Sequence, residues 1–363
     1  MRFLFSSHAA LASLDLSDGL AVQGYEVLSR GYHYGVAGGA TQGDESRWIA
    51  YRGGSTCGSQ DTPEALSLLG TAGGFEVTHR RPLSGMGDVH QLAKWDGGLY
   101  LADTAHNRVV FEPSDRPANL EEYVFGDTRH DVNHVNSVFP CGGRVLAVLH
   151  NRRHRESQVA VLRHPPGEGI GLETVLSLWD ELCHNVVVDG SRLMYLASYS
   201  NHLVVADLAR DRLLTRIDLS LHVRDLLGGR GHAKGLSVSD DMIVVPVSDE
   251  AERDARSESL ACLAVFHRST LEFLGAVDMS DLGEPPGNIN EIRRVDSVDL
   301  GQGISVPPGI HWPDLRLGRG DVLGHAYRRM RGAVLPPLIR AERALRRKTN
   351  GPVGSSAKGG RNT

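Results

Sequence analysis

The stretch CHNVVVDGSRLMYLAS (183–198) runs from a histidine into an apolar segment, a Gly/Asp turn and a second apolar segment. The same order recurs in VHQLAKWDGGLYLAD (89–103), NHVNSVFPCGGRVLAVL (133–149) and GHAKGLSVSDDMIVVPV (231–247). The turns VDGS, WDGG, PCGG and VSDD are hairpin punctuation between strand-length segments. With His90, His134, His184 and His232 as markers, the steps are 44, 50 and 48 residues. Two further strand-length segments follow each pair, such as HLVVADL and LLTRIDL after the third and LACLAVFH and EFLGAVDM after the fourth. Four strands per repeat of about 40–50 residues is the signature of a β-propeller blade.

An earlier repeat begins at GYHYGVAGG (31–39) and continues through RWIAYRG, ALSLLGT and FEVTHRR. A last inner strand stands at NINEIRRVD (288–296), with no full blade after it. The N-terminal segments RFLFSS, ALASLDL and GYEVLSR supply the three strands it needs. The expectation is therefore an all-β, six-bladed propeller over residues 1–310, closed by strands from both chain ends, with five or seven blades as alternative counts. Closure removes free sheet edges.

Bulk composition agrees with a soluble globular chain: 363 residues, 40% hydrophobic, 23% charged, formal net charge −5. That balance gives no reason to expect a nucleic-acid partner. The charge is uneven, because residues 311–363 hold 12 Arg/Lys against 3 Asp/Glu while the rest hold 27 against 41. The expectation for 311–363 is a basic extension, helical over 337–348 and disordered after Lys348. It either packs on the propeller or meets an acidic partner or anionic surface. No apolar run approaches the length of a membrane span, and His8, Asp15 and Asp18 interrupt the N-terminal apolar segment before a signal-peptide core forms. Cys57, Cys141, Cys183 and Cys262 form no CxxC pair, which suits a reducing, cytoplasmic setting with the thiols as small buried hydrophobes.

In a propeller the start of the innermost strand and the end of the second share one rim of the central channel. That rim gathers His90, His134, His184 and His232, with His33 and the Asn288–Asn290–Glu291 cluster in corresponding places. It also gathers the loops after the second strands, which carry Asp103, His106, His150, Arg152, Asn201 and His202. Such a mouth is where a ligand is expected. Three readings of the histidines are open. They hold a divalent transition metal (Zn, Fe or Mn) that polarises a carbonyl or carboxylate. They do acid–base work or bind substrate without a metal. Or they staple neighbouring blades together.

The run DVHQLAKWDGGLYLADTAHNRVVFEP (88–113) resembles the NHL-like and streptogramin-lyase-like propellers, whose repeats read as an apolar strand, a DG turn, LYVAD and an N-R-V strand. Residues 184–209 share a fainter likeness. The chain as a whole also resembles an uncharacterised family of bacterial propellers, which implies no mechanism. The better-known relatives include metal-dependent lyases with histidines at the channel mouth, metal-dependent lactonases and plain binding modules. The histidine placement here matches the lyases in kind, and no lyase motif matches residue by residue. Fold likeness alone does not carry a reaction.

The functional expectation is a lyase- or isomerase-type enzyme acting on a small molecule, with an anionic substrate as one option. His90, His134, His184 and His232 would hold the metal, Glu291 or His150 would move protons, and Lys234 would meet an anionic group. Asp103, His106, Arg152, Asn201, His202 and Asn290 would contact substrate. The alternatives are a metal-free propeller catalysing cyclisation or epimerisation, and a ligand- or protein-binding propeller. In GDTRHDVNH (126–134), Asp127, His130 and Asp131 are candidates to orient His134. Neither a phosphate loop nor a GxSxG elbow is present.

Overall fold

The described residues of the computed structural model are 1–315 apart from 43–44, 54–62, 72, 96, 127–130, 154, 179, 228–230, 298, 301–309, 311 and 313–314. Asp127, His130, Cys57 and all of the expected extension except Trp312 and Leu315 lie outside them.

Six antiparallel sheets form a six-bladed β-propeller. Blade 1 pairs the late strand Ile289–Arg294 with Arg2–Ser7, followed outward by Ala10–Leu16 and Val22–Arg30. Its innermost strand thus comes from the end of the propeller sequence and its other three from the beginning. Blades 2 to 5 each run outward in chain order, starting at His33–Gln42, Val89–Trp95, Val135–Cys141 and Cys183–Asp189. In blade 6 the inner strand is broken into Gly231–Ala233 and Ser237–Val238, both paired with Met242–Asp249. A short helix, Ser220–Leu227, joins blades 5 and 6.

The strand chemistry follows from blade stacking. An inner strand such as Cys183–Asp189 is buried at every residue because a neighbouring blade covers each face. The outermost strand of the same blade, Arg212–Asp218, has no fully buried residue. The apolar cores accordingly lie between blades. One cluster joins Phe139 and Val148 of blade 4, Val187 and Leu196 of blade 5 and Val245 and Phe266 of blade 6, and it takes in Trp312 and Leu315. Full burial of each Val or Leu contributes about 1.5–3 kcal/mol relative to exposure. Cys141, Cys183 and Cys262 are free and buried in these cores. Among the described residues, no helix is long and apolar enough to cross a membrane.

Candidate functional site at the channel mouth

Every inner strand carries one residue too many at the same level. In blade 3, Val89 pairs with Asp103 and Gln91 with Ala102, so His90 bulges out of register. In blade 4 the extra residue is Asn136, in blade 5 it is Asn185, and in blade 1 it is Asn290. In blade 2, Tyr34 and Gly35 stand opposite one residue. In blade 6, the break at Lys234–Gly235–Leu236 holds three residues opposite two. A bulge re-aims its side chain. Tyr34, His90, Asn136, Asn185, Lys234 and Asn290, with Ser137 and His184, line one recess of about 240 Å³ including its open mouth.

The bulges also correct the phasing expected for the histidines. His90 is itself the bulged residue, His184 precedes its bulge by one residue, and His134 and His232 precede theirs by two. The four are therefore not equivalent positions of a repeat. They nevertheless meet. Ring centroids step from His90 to His134 at 4.7 Å, to His150 at 4.8 Å, to His184 at 4.9 Å and to His232 at 5.7 Å. The row continues the other way through Tyr34, stacked on His90 at 4.3 Å, then Tyr32 at 4.6 Å and His8 at 4.2 Å.

Three of these imidazoles, those of His90, His134 and His184, are held through a ring nitrogen. His134 Nδ1 lies 2.7 Å from Asp131, which also pairs with Arg152. His90 Nε2 lies 3.1 Å from Asp88. Ser198 Oγ donates its only proton to Ala233 O at 2.6 Å, so it accepts from His184 Nδ1–H at 2.8 Å. His184 Nε2 is then the unprotonated, basic nitrogen. Burial, assisted by the charge of Lys234, pushes the His184 pKa well below its ordinary value. Burial also lowers His150, with neighbouring His134 and Lys234 adding to it, and brings His134 down to about 4. These three rings are neutral at pH 7.

Glu291 is 1% exposed and does not line the recess. Its carboxylate accepts from Gln91 Nε2 of blade 3, Asn185 Nδ2 of blade 5 at 3.1 Å and its own neighbour Ile292 N at 3.2 Å, and it pairs with Arg293 at 3.1 Å. Burial raises its pKa, opposed by Arg293 and Gln91. Because every one of these partners donates, the group they hold is a carboxylate. Its position makes it a hub behind the recess wall.

Of the expected substrate contacts, Asn290 lines the recess, and Arg152 stands beside His134 through Asp131. Asp103 is fully enclosed, paired with Arg108 at 2.8 Å and His106 at 2.9 Å. Asn201 is buried in a left-handed turn, bonding Ser220 at 3.0 Å, and His202 bonds Ser200 O at 2.6 Å. None of Asp103, His106, Asn201 and His202 lines the recess. His8, Tyr32, Tyr34, Asn136, Ser137 and Asn185 belong to the site without having been singled out from sequence. The recurring X-Asn or His-X step at each inner-strand start was the signal available for Asn136 and Asn185.

Among the described residues, no group of three or more His, Cys, Asp or Glu side chains converges to hold a metal ion. The imidazoles form a row rather than a cage.

No protein-family model and no curated sequence matches the chain. Solved structures do. A nidogen/laminin complex chain is 11% identical, with 80% of this chain and 97% of that one covered at a TM-score of 0.50. A 6-phosphogluconolactonase-like protein of Bacteroides fragilis is 10% identical over 76% of this chain and 81% of its own, at 0.47. Apo AztD of Citrobacter koseri is 8% identical over 84% and 99%, at 0.40. At such identities the likeness speaks to fold alone. The class that fold and strand order define is the six-bladed β-propeller.

Proposed function

We propose that the protein is a lyase- or isomerase-type enzyme that removes a proton from a small anionic substrate in the recess. The observation that carries this reading is His184: its tautomer is set by Ser198, its basic Nε2 is left over, and it shares the recess with Lys234. The ammonium of Lys234 takes the substrate's anionic group. The C–H bond beside a carbonyl or carboxylate breaks, the proton moves to His184 Nε2, and the electron pair moves onto the oxygen that Lys234 faces. Burial and Lys234 make free His184 a weak base. An anion at Lys234 offsets that charge, so the Lys234 share of the depression is lifted when substrate is present, while the larger share due to burial stays. Return of the proton to the other face gives an isomer; loss of a group from the next carbon gives a lyase.

The experiment is incubation with a panel of small carboxylic acids in D2O, followed by proton NMR. Loss of an α-hydrogen signal that disappears in His184→Gln and Lys234→Met supports the reading. An acid that binds in the recess and keeps its α-hydrogen overturns it in favour of a binding propeller. The buried thiols of Cys141, Cys183 and Cys262 support the reducing, cytoplasmic setting proposed with it.

A second reading keeps a divalent transition metal on the imidazoles. It is favoured by the Asp131–His134 and Ser198–His184 pairs, since a ligating histidine usually gives its other nitrogen to such a partner. It requires the rings to leave their row and converge. Elemental analysis of the purified protein, beside His134→Ala and His184→Ala, tests it; wild type without stoichiometric metal sinks it.

A further inference from the structure

The two walls of the recess differ in what they ask of a ligand. On the side of blades 5 and 6 stand Lys234 and His184. On the side of blades 1 and 2 the wall holds Asn290, with further unmet acceptors buried behind it. Asn290 lines the recess and is 6% exposed; its Nδ2 donates to His33 O at 2.8 Å, which fixes the amide and leaves Oδ1 without a partner. His33 is wholly buried, and its Nδ1 sits 2.8 Å from Gly31 O. That nitrogen must carry the proton, so Nε2 is an acceptor, and it too has no partner. Asn288 Oδ1, two residues before Asn290, is a third. Buried acceptors left unmet are costly, so this seam favours a group that brings N–H or O–H to it.

We infer that the recess is built for a small carboxylate bearing a hydroxyl or ammonium group on the neighbouring carbon, with the carboxylate at Lys234 and the donor at Asn290 Oδ1. The small volume argues for few atoms between the two groups. A plain anion satisfies one wall only, and a second anionic group would face acceptors. The same pairing holds the intervening carbon in one orientation towards His184, so the site selects substrate and hand together.

This inference rests on the reading that Lys234 holds an anion, and the test separates the two. Propanoate, lactate and alanine differ only in the substituent beside the carboxylate. Their affinities for the wild-type protein are measured by calorimetry and ligand-observed NMR, with each enantiomer of lactate and alanine taken separately. The expected result is that lactate or alanine binds about tenfold tighter than propanoate, the worth of one buried hydrogen bond, with one hand preferred. Whichever of the two leads tells a hydroxyl from an ammonium donor. In Asn290→Leu, verified as folded by its melting curve, the advantage collapses while propanoate is held as before; Lys234→Met weakens all three. Equal binding of the three acids, abolished in Lys234→Met, overturns the donor inference and leaves the anion reading intact. No binding of any acid overturns both. If Asn290→Leu fails to fold for want of its bond to His33, the wild-type series decides alone.

Discussion

Glu291 has the chemistry of a proton carrier and the surroundings of an anchor. Gln91, Asn185, Ile292 and Arg293 all donate towards its carboxylate, and they come from three blades. Removing the charge leaves Arg293, itself 2% exposed, with only the carbonyls of Leu236 and Ile292 and no counter-charge. Glu291→Gln is expected to lower stability by about 3–5 kcal/mol, measured by urea unfolding. A variant that unfolds like wild type and loses only turnover would return Glu291 to the catalytic role expected from sequence. His33 makes a second residue-scale case. Burial lowers its pKa to about 4, from about 6.5 in the unfolded chain. Between these values the unfolded state binds the extra proton, so stability is fully present above about pH 6.5 and falls as pH drops towards 4. One such site contributes a slope of about 1.4 kcal/mol per pH unit inside that window. Unfolding free energies of wild type and His33→Gln, compared from pH 7 to 4, are expected to converge by that slope. Parallel curves would show that His33 takes up its proton as readily in the folded state as in the unfolded chain.

At the scale of the strand, the device that builds the site is the bulge, and six bulges at one level are what bring side chains from all six blades into the recess. They need close backbone approach. A Cβ on Gly35 in the blade 2 bulge would stand 2.8 Å from Leu92 N and 3.0 Å from Gln91 Cα in blade 3. Those are backbone atoms, which do not swing aside. Gly35→Ala is expected to cost about 1–3 kcal/mol and to displace the neighbouring His90–Gln91 bulge. A lowered melting temperature together with weakened ligand binding is the expected pair of readouts; unchanged binding would mean the bulges move independently. The bulges also mark where sequence reading stopped. Strand pairs, turns and blade order were legible, because alternating apolar runs and Gly/Asp turns follow directly from strand chemistry. The histidine row was legible in membership, since His90, His134, His150, His184 and His232 do line up ring to ring. Its construction was not. Inner strands buried on both faces carry no alternation for an extra residue to shift, and the nine-residue spacing of His90 to Leu99, against ten from His134 to Arg144 and from His184 to Met194, is its only mark. Asn136, Asn185 and Tyr34 went unnoticed for the same reason. Asp103 and Asn201 are polar residues in the right loops, and sequence alone does not show that their partners lie within the protein.

For the whole molecule, stability depends on how the ring is shut. The inner strand Ile289–Arg294 pairs with Arg2–Ser7, so blade 1 exists only when distant parts of the chain meet. Such long-range pairing must overcome loop-closure entropy before it stabilises anything. The chain past that strand then returns to the core: Trp312 is 1% exposed and, with Leu315, joins the cluster shared by blades 4, 5 and 6. The propeller's own packing therefore extends past residue 310, where repeat counting placed its end. Burial of a Trp in such a cluster is worth about 3–5 kcal/mol by comparison with Trp-to-Ala changes. A chain ending after Leu317 keeps these contacts and one ending after Ile310 loses them. The first is expected to unfold at the denaturant midpoint of the full chain, and the second, like Trp312→Ala, at a clearly lower one. If the two truncations unfold together, the segment holding Trp312 adds nothing to the propeller and closure rests on the blade 1 strands alone.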